Sequence, residues 1–545
     1  MSEVIRAELA RVAAALGAPE APFVLERPRD AGHGDLATNL ALLIARGRKA
    51  NPRGVATEVL AAMALPAGVV ERSEIAGPGF INFWLAEDQL AGALRAVVQA
   101  GDAFGRADFG RGISVNVEFV SANPTGPLHV GHGRGAALGD GIAALLEWTG
   151  HAVVREFYIN DAGVQIDRLV ESLWARLRQQ RGEPAELPEG GYHGEYLVEA
   201  AEHALADLPE AVLAGSFAAA APALRGYILK LQREEQDLLL QDFGVHFDLH
   251  SSEQAMYDSG RVAATLQELA AKGLTYEKDG ALWLGTEAHG DDKDRVLRKS
   301  DGTLTYLVPD LAYHRDKHER GFARVIDVWG ADHHGYIPRM RAALKALGYP
   351  DDFFEVALVQ LVKVLKEGEE VRMSKRAGDF VTLRDLLDWV GVDAARYFFL
   401  MRKGETPFSF DVDLARKQTD ENPVFYVQMA HARLSGIFRV AGKTPEQAGD
   451  AADLAALAAP EDLELLKLLT RFPELVAGAA RVREPHRITG YLEELARSAH
   501  LWYHHCRVLG EPEATERARL VLARAARQVL RNGLTLLGLS APDRM

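Results

Sequence analysis

Val117-Glu118-Phe119-Val120-Ser121-Ala122-Asn123-Pro124-Thr125-Gly126-Pro127-Leu128-His129-Val130-Gly131-His132 falls into three parts. Its start closes the stretch from Ile113 to Val120, which reads as a strand. The Gly- and Pro-rich middle, Asn123 to Gly133, reads as a turn. A helix then runs to about Trp148, with Leu138, Ile142, Leu145 and Leu146 on one stripe and Gly150 as terminator. Ligands of open parallel sheets collect beyond the carboxyl ends of strands, and a helix start offers free N–H groups to phosphate. His129 and His132 could donate hydrogen bonds to triphosphate oxygens there, and Gly131 would let a nucleotide approach the backbone. The competing reading of an isolated HxGH is a turn whose histidines cap a helix.

Working outward, Val153–Ile159 reads as the next strand. Further strands are expected at 304–308 and 324–329, and a helix after Pro338. Such alternation predicts an α/β fold with a Rossmann-like, doubly wound parallel sheet. Residues 181 to about 255 interrupt it with a polar, helical insertion. Residues 1–108 form a separate α/β module: Val4, Ile5, Leu9, Val12 and Leu16 keep helical spacing. Within that module the run 36–48 reads as a second helix with Asp35 as its N-cap, and Gly79–Leu85 reads as a strand. From about 392 helical patterns dominate and strand signals vanish, so the division is 1–108, 109–391 and an all-α bundle at 392–545.

Composition sets outer limits. With 48% hydrophobic and 26% charged residues the chain is globular, and no apolar stretch is long enough for a membrane span. The N-terminus lacks a secretory pattern, which points to the cytoplasm. One cysteine, Cys506, excludes an internal disulfide and a cysteine-rich zinc site. A formal net charge of −15 neither favours nor excludes nucleic acid, because local Lys/Arg surfaces decide that binding.

Three other segments carry chemistry. Val371-Arg372-Met373-Ser374-Lys375-Arg376-Ala377-Gly378 could bring an ammonium to developing pyrophosphate charge. Tyr306 and Asp310 lie four apart, on one face if helical, and Pro309 favours a helix start there. Trp329-Gly330-Ala331-Asp332-His333-His334-Gly335 ends a strand; Asp-His-His without a third ligand segment is a poor zinc site, and no metal is assigned.

The string NPTGPLHVGHGR resembles the HIGH signature of class I aminoacyl-tRNA synthetases in its arginyl form, and RMSK resembles their KMSKS loop. Arg372 and Arg376 depart from that loop's first lysine and last serine, so Lys375 takes the loop function and Arg372 is auxiliary. Asn422-Pro423-Val424-Phe425-Tyr426-Val427-Gln428-Met429-Ala430-His431-Ala432-Arg433 resembles the start of the family's anticodon-binding domain. Gly34-Asp35-Leu36-Ala37-Thr38-Asn39 resembles its added N-terminal domain, which meets the tRNA D-loop.

The resemblance implies an arginine–tRNA ligase with no editing domain, using ATP with Mg²⁺ and requiring bound tRNA for activation. It places His129, His132 and Lys375 in catalysis, and Gly131, Asp332, His333, Met373 and Ser374 around ATP. Glu118, Ser121 and Asn123 would hold the amino end of arginine, with Tyr306, Asp310 and His333 lining the rest of its pocket. Asp35, Asn39, Phe425, Tyr426, Gln428, Arg433, Arg524 and Met545 would face tRNA. A cytoplasmic monomer is expected. A cysteinyl enzyme would need zinc thiolates that one cysteine cannot supply, and a small nucleotidyltransferase would not need the C-terminal bundle.

Overall fold

The computed structural model describes residues 2–26, 28, 31–66, 68–371, 381–449 and 454–545. Five strands form the central sheet: β1 (Ser114–Glu118), β2 (Ala152–Ile159), β3 (Leu249–Ser252), β4 (Arg324–Gly330) and β5 (Phe354–Val359). All four pairings are parallel, in the order β5-β4-β1-β2-β3. The order reverses between β4 and β1, so their carboxyl ends diverge and open the crevice in which doubly wound sheets bind ligands. Val115 and Val117 of β1, both fully buried, meet Ala136, Ile142 and Leu145 of helix α1 (Val130–Trp148) in the main core.

The structure corrects four sequence expectations. The run 304–308 is not a strand: Leu304 makes one bridge to Arg298, and helix α2 (Leu307–Glu319) starts two residues after Thr305. Pro309, in the first turn of α2, lacks only an N–H that has no helical acceptor there. The expected insertion ends early, because Leu249–Ser252 is the edge strand β3; its helices Tyr196–Asp207 and Phe217–Asp242 do pack on a core of their own. Beyond 392, Phe408–Asp411 is a short strand paired in parallel with Val362–Lys366. The fourth correction concerns the N-terminal module.

There, Leu36–Thr38 is a strand of a four-stranded sheet, and the helix begins at Leu40 after Asn39. Leu36 and Thr38 are buried on one side of that strand, a period-two pattern three residues long and overwritten by the helical run that follows. Asp35 is therefore no cap. Its carboxylate accepts the Leu85 N–H at 2.9 Å and pairs with Lys467 of the C-terminal region at 2.6 Å. A second tie joins the same regions: Asn532 donates to the carbonyls of Gly101 and Phe104, both at 2.9 Å.

The C-terminal region is helical. Helix α3 (Pro423–Ala441) packs on α4 (His486–His505) and α5 (Glu513–Leu536), and Cys506 is buried at the end of α4. Arg396, fully buried, joins this bundle to the catalytic fold. It donates to Asp140 of α1 at 2.5 Å, to the carbonyls of Phe243 and Gly244, and to the carbonyl of Leu537 just past α5. The cation thus meets carbonyls that close two helices, where the negative dipole end lies. Arg396→Leu removes the charge and orphans those acceptors, and it is expected to cost about 3–5 kcal/mol. A urea midpoint equal to the parent's would refute this.

Candidate active site

Strand β1 delivers Glu118 to the crevice, and the chain then turns sharply. Val120 and Ser121 both take left-handed backbone, φ 68° and 40°. Each costs roughly 1–2 kcal/mol for an L-residue, more for a β-branched one. Local bonds hold the turn: the Ser121 hydroxyl donates to Glu118 Oε1 at 2.9 Å and accepts the Tyr158 N–H of β2 at 3.2 Å. Beyond it, Tyr196 donates to the Thr125 carbonyl, and Gln236 to those of Asn123 and Gly126. The helical insertion therefore clamps the Gly/Pro turn. Asn123 itself donates to Gln165 at 2.6 Å.

Both histidines cap α1 and both are drawn into the site. His129 Nδ1 accepts the N–H groups of Gly131 and His132, and His132 Nδ1 accepts that of His129. With Nδ1 used as an acceptor in each ring, the ring proton falls on Nε2. The rings stack with centroids 3.7 Å apart. A Cβ at Gly131 would come within 2.9 Å of the His129 ring, so the glycine is first a requirement of this stack. Arg134 of the same motif donates to the carbonyls of Gln360, Lys403 and Thr406; its role is structural.

Residues Arg372, Met373, Ser374, Lys375 and Arg376 lie outside the described residues. Their chain re-enters at Val381, and there it is stitched to the histidine turn. Leu383 donates to the Leu128 carbonyl at 2.8 Å, Val130 donates to that of Val381 at 3.4 Å, and His129 bridges Thr382.

Across the crevice, Asp310 lies half-buried in the first turns of α2 and accepts the Tyr336 hydroxyl at 2.6 Å. Burial lifts its carboxyl above the usual range. Glu253, which the sequence reading missed, opens the short helix Glu253–Asp258 directly after β3 and is 8% exposed. Burial, then the charges of Asp310 and Asp161, push it up to about 7. Its signal was available: an acid at a strand's carboxyl end, hidden because 249–255 read as insertion. Two confined carboxylates among the phenols of Tyr158, Tyr257 and Tyr336 make an anionic corner suited to a cation. Tyr306, at the start of α2, is 80% exposed, and Asp332 and His333 are exposed beyond β4 and pair at 3.5 Å.

A second cavity of about 550 Å³ opens in the C-terminal region, lined by Trp389, Gly391, Lys417, Asn422, Phe425, Gln428 and Met545. Asn422 is 3% exposed; its amide donates to the carbonyls of Ala415 and Lys417, and its Oδ1 has no protein donor. Gln428 donates to Asp393 and the Ser540 carbonyl. Other expected nucleic-acid contacts lie elsewhere. Tyr426 packs on the His500 ring, Arg433 donates to His500, and Arg524 donates to the Gly449 carbonyl. Asn39 accepts the Val24 N–H, and Asp35 is committed to Lys467.

Three family models match the chain: arginyl tRNA synthetase N terminal domain over 1–85, tRNA synthetases class I (R), catalytic domain over 98–406, and DALR anticodon binding domain over 427–545. The arginine–tRNA ligase of Moorella thermoacetica is 48% identical, covering 99% of this chain and 97% of its own length. That of Bordetella petrii is also 48% identical, covering 98% of each. The solved arginyl-tRNA synthetase of Thermus thermophilus superposes with a TM-score of 0.78 at 25% identity, over 100% of both chains.

Because burial and two neighbouring acids push the Glu253 carboxyl up to about 7, a guanidinium bound beside it should expel its proton. Calorimetry at pH 6.5 in buffers of different ionisation enthalpy should show proton release on guanidinium binding, lost in Glu253→Gln. Buffer-independent heats would remove Glu253 from the site.

Proposed function

The chain belongs to the arginyl-tRNA synthetase family, and from that premise we propose a division of labour among its residues. It is an arginine–tRNA ligase of class I that uses ATP. In our reading the guanidinium of arginine enters between Asp310 and Glu253, with Tyr306 across its plane, because planar N–H donors pair best with two carboxylates. Its ammonium goes to Glu118 and Asn123, with Ser121 fixing Glu118. His333 closes the pocket.

ATP lies over the start of α1. Gly131, Asp332 and His333 border the adenosine, while the Nε2–H groups of His129 and His132 face the phosphates. Lys375, supported by Met373, Ser374 and Arg372, neutralises the pyrophosphate as it forms. A carboxylate oxygen of arginine attacks the α-phosphorus, the bond to the bridging oxygen breaks, and pyrophosphate leaves. A terminal ribose hydroxyl of tRNA(Arg) then attacks the carbonyl carbon, AMP leaves with the bonding pair, and the hydroxyl proton passes to solvent. Mg²⁺ would travel with the nucleotide, because phosphate oxygens and water supply the octahedral oxygen shell it prefers.

The observation that carries this reading is the stitching of 381–383 to 128–130, which ties the chain that follows the RMSK motif to the histidine turn.

For tRNA, residues 1–108 serve the D-loop side, 109–391 the acceptor end and 392–545 the anticodon. In this reading Phe425, Gln428 and Met545, which line the C-terminal cavity, receive anticodon bases. Tyr426, Arg433 and Arg524 support that surface, and Asp35 and Asn39 shape the N-terminal loop. We take the enzyme to act as a cytoplasmic monomer; no helix among the described residues is long and apolar enough to cross a membrane.

Two substitutions test the assignment. Asp310→Asn is expected to raise the arginine KM by about 100-fold or more, the scale of an unpaired buried charge; an unchanged KM would refute that role. His132→Ala should lower kcat by about 2–4 kcal/mol of transition-state stabilisation, the scale of one preorganised donor. Parent-like steady-state turnover would take His132 out of the chemistry.

A further inference from the structure

Lys317 lies on α2 beneath the amino-acid site, its side chain fully buried. Its ammonium touches Glu118 Oε2 at 2.6 Å and Asp327 Oδ1 at 3.0 Å, and it stands 4.4 Å from the centre of the Tyr313 ring. Two carboxylates and a π face thus use its three N–H bonds. The neighbours of Glu118 are accounted for on each packed element. Ser121 holds Oε1, and Asp327 on β4 carries His314 of α2 at 2.9 Å. Glu156 of β2 is held by Tyr313, Arg320 and Asn116, while the Tyr158 ring lies nearby.

Burying a lysine is unfavourable, and an apolar chain of equal length would fill the space at lower cost. Asp327 alone does not call for it, since His314 already meets the second Asp327 oxygen. What only the lysine supplies is a fixed cation on Glu118. Burial lifts that carboxyl above the usual range, and Lys317 is the largest influence opposing the lift.

We infer that Lys317 is a positioning residue: it holds Glu118 in one orientation, so that the remaining lone pairs of Glu118 meet the α-ammonium of the substrate. This rests on the reading that Glu118 takes the ammonium, and the test separates the two.

L-Arginine and 5-guanidinopentanoic acid, which lacks only the α-amino group, are titrated calorimetrically into the full-length parent, Lys317→Met and Glu118→Gln. Lys317→Met is expected to weaken arginine on the order of 10- to 100-fold while the analogue changes by no more than about twofold. Equal losses for both ligands would make Lys317 merely structural, and no loss for either would also overturn the inference. If Glu118→Gln leaves the ratio of the two affinities unchanged, the Glu118 assignment itself fails. If it collapses that ratio and Lys317→Met does not, only the inference about Lys317 falls. Should Lys317→Met fail to fold, Lys317→Gln, shorter by one atom, keeps a neutral N–H donor toward Glu118. It should lose part of the ratio, and a parent-like ratio there overturns the proposal.

Discussion

Two backbone hydrogen bonds, from Leu383 to Leu128 and from Val130 to Val381, join segments that the sequence sets far apart. The catalytic architecture depends on that seam. On one side stands the capped start of α1 with its stacked histidines; on the other, Thr382 caps the next helix through Asp385. Because the bonds are between main chains, they fix position without specifying side chains. Each flank is then left to its side chains: His129 and His132 on one, Thr382 and Asp385 on the other. The same turn is clamped from behind by Tyr196 and Gln236 of the helical insertion, which gives that insertion a mechanical part in the site.

The strain at Val120 and Ser121 belongs to the same construction. A relaxed strand end would carry residue 123 onward along the sheet, whereas two left-handed residues in succession swing it toward β2. Interactions with Glu118 and the Tyr158 N–H offset the cost. Electrostatics follow a similar logic. Carboxylates are packed where water cannot screen them, and the site is left seeking positive charge at one end (Asp310 and Glu253) while Lys317 satisfies it beneath the other.

Much of this was legible in the chain. The strand–turn–helix of 113–148, the strand at 324–330 and the helix after Pro338 each occupy a long, periodic stretch. What escaped was short or borrowed its partners from afar. Leu36–Thr38 and Leu249–Ser252 contain too few residues to show alternation, and they are strands only because Ile81–Phe83 and Glu156–Ile159 lie ready to pair. Glu253 became visible once the latter strand was in place. Asp35 illustrates the converse: as an acid before a helical run it has the local chemistry of a cap, but Lys467 and the Leu85 N–H outcompete that use. Charged residues of the C-terminal helices behaved alike, since Arg433 and Arg524 found carbonyl or imidazole acceptors inside the protein.

The Asp35–Lys467 pair and the bonds from Asn532 to Gly101 and Phe104 brace the two ends of the chain against each other across the catalytic fold. A bent nucleic acid gripped at separate places normally costs a flexible protein orientational freedom at each one. Here that ordering is completed during folding, so any ligand long enough to touch both ends would meet two surfaces whose spacing is already set, like the jaws of a locked calliper.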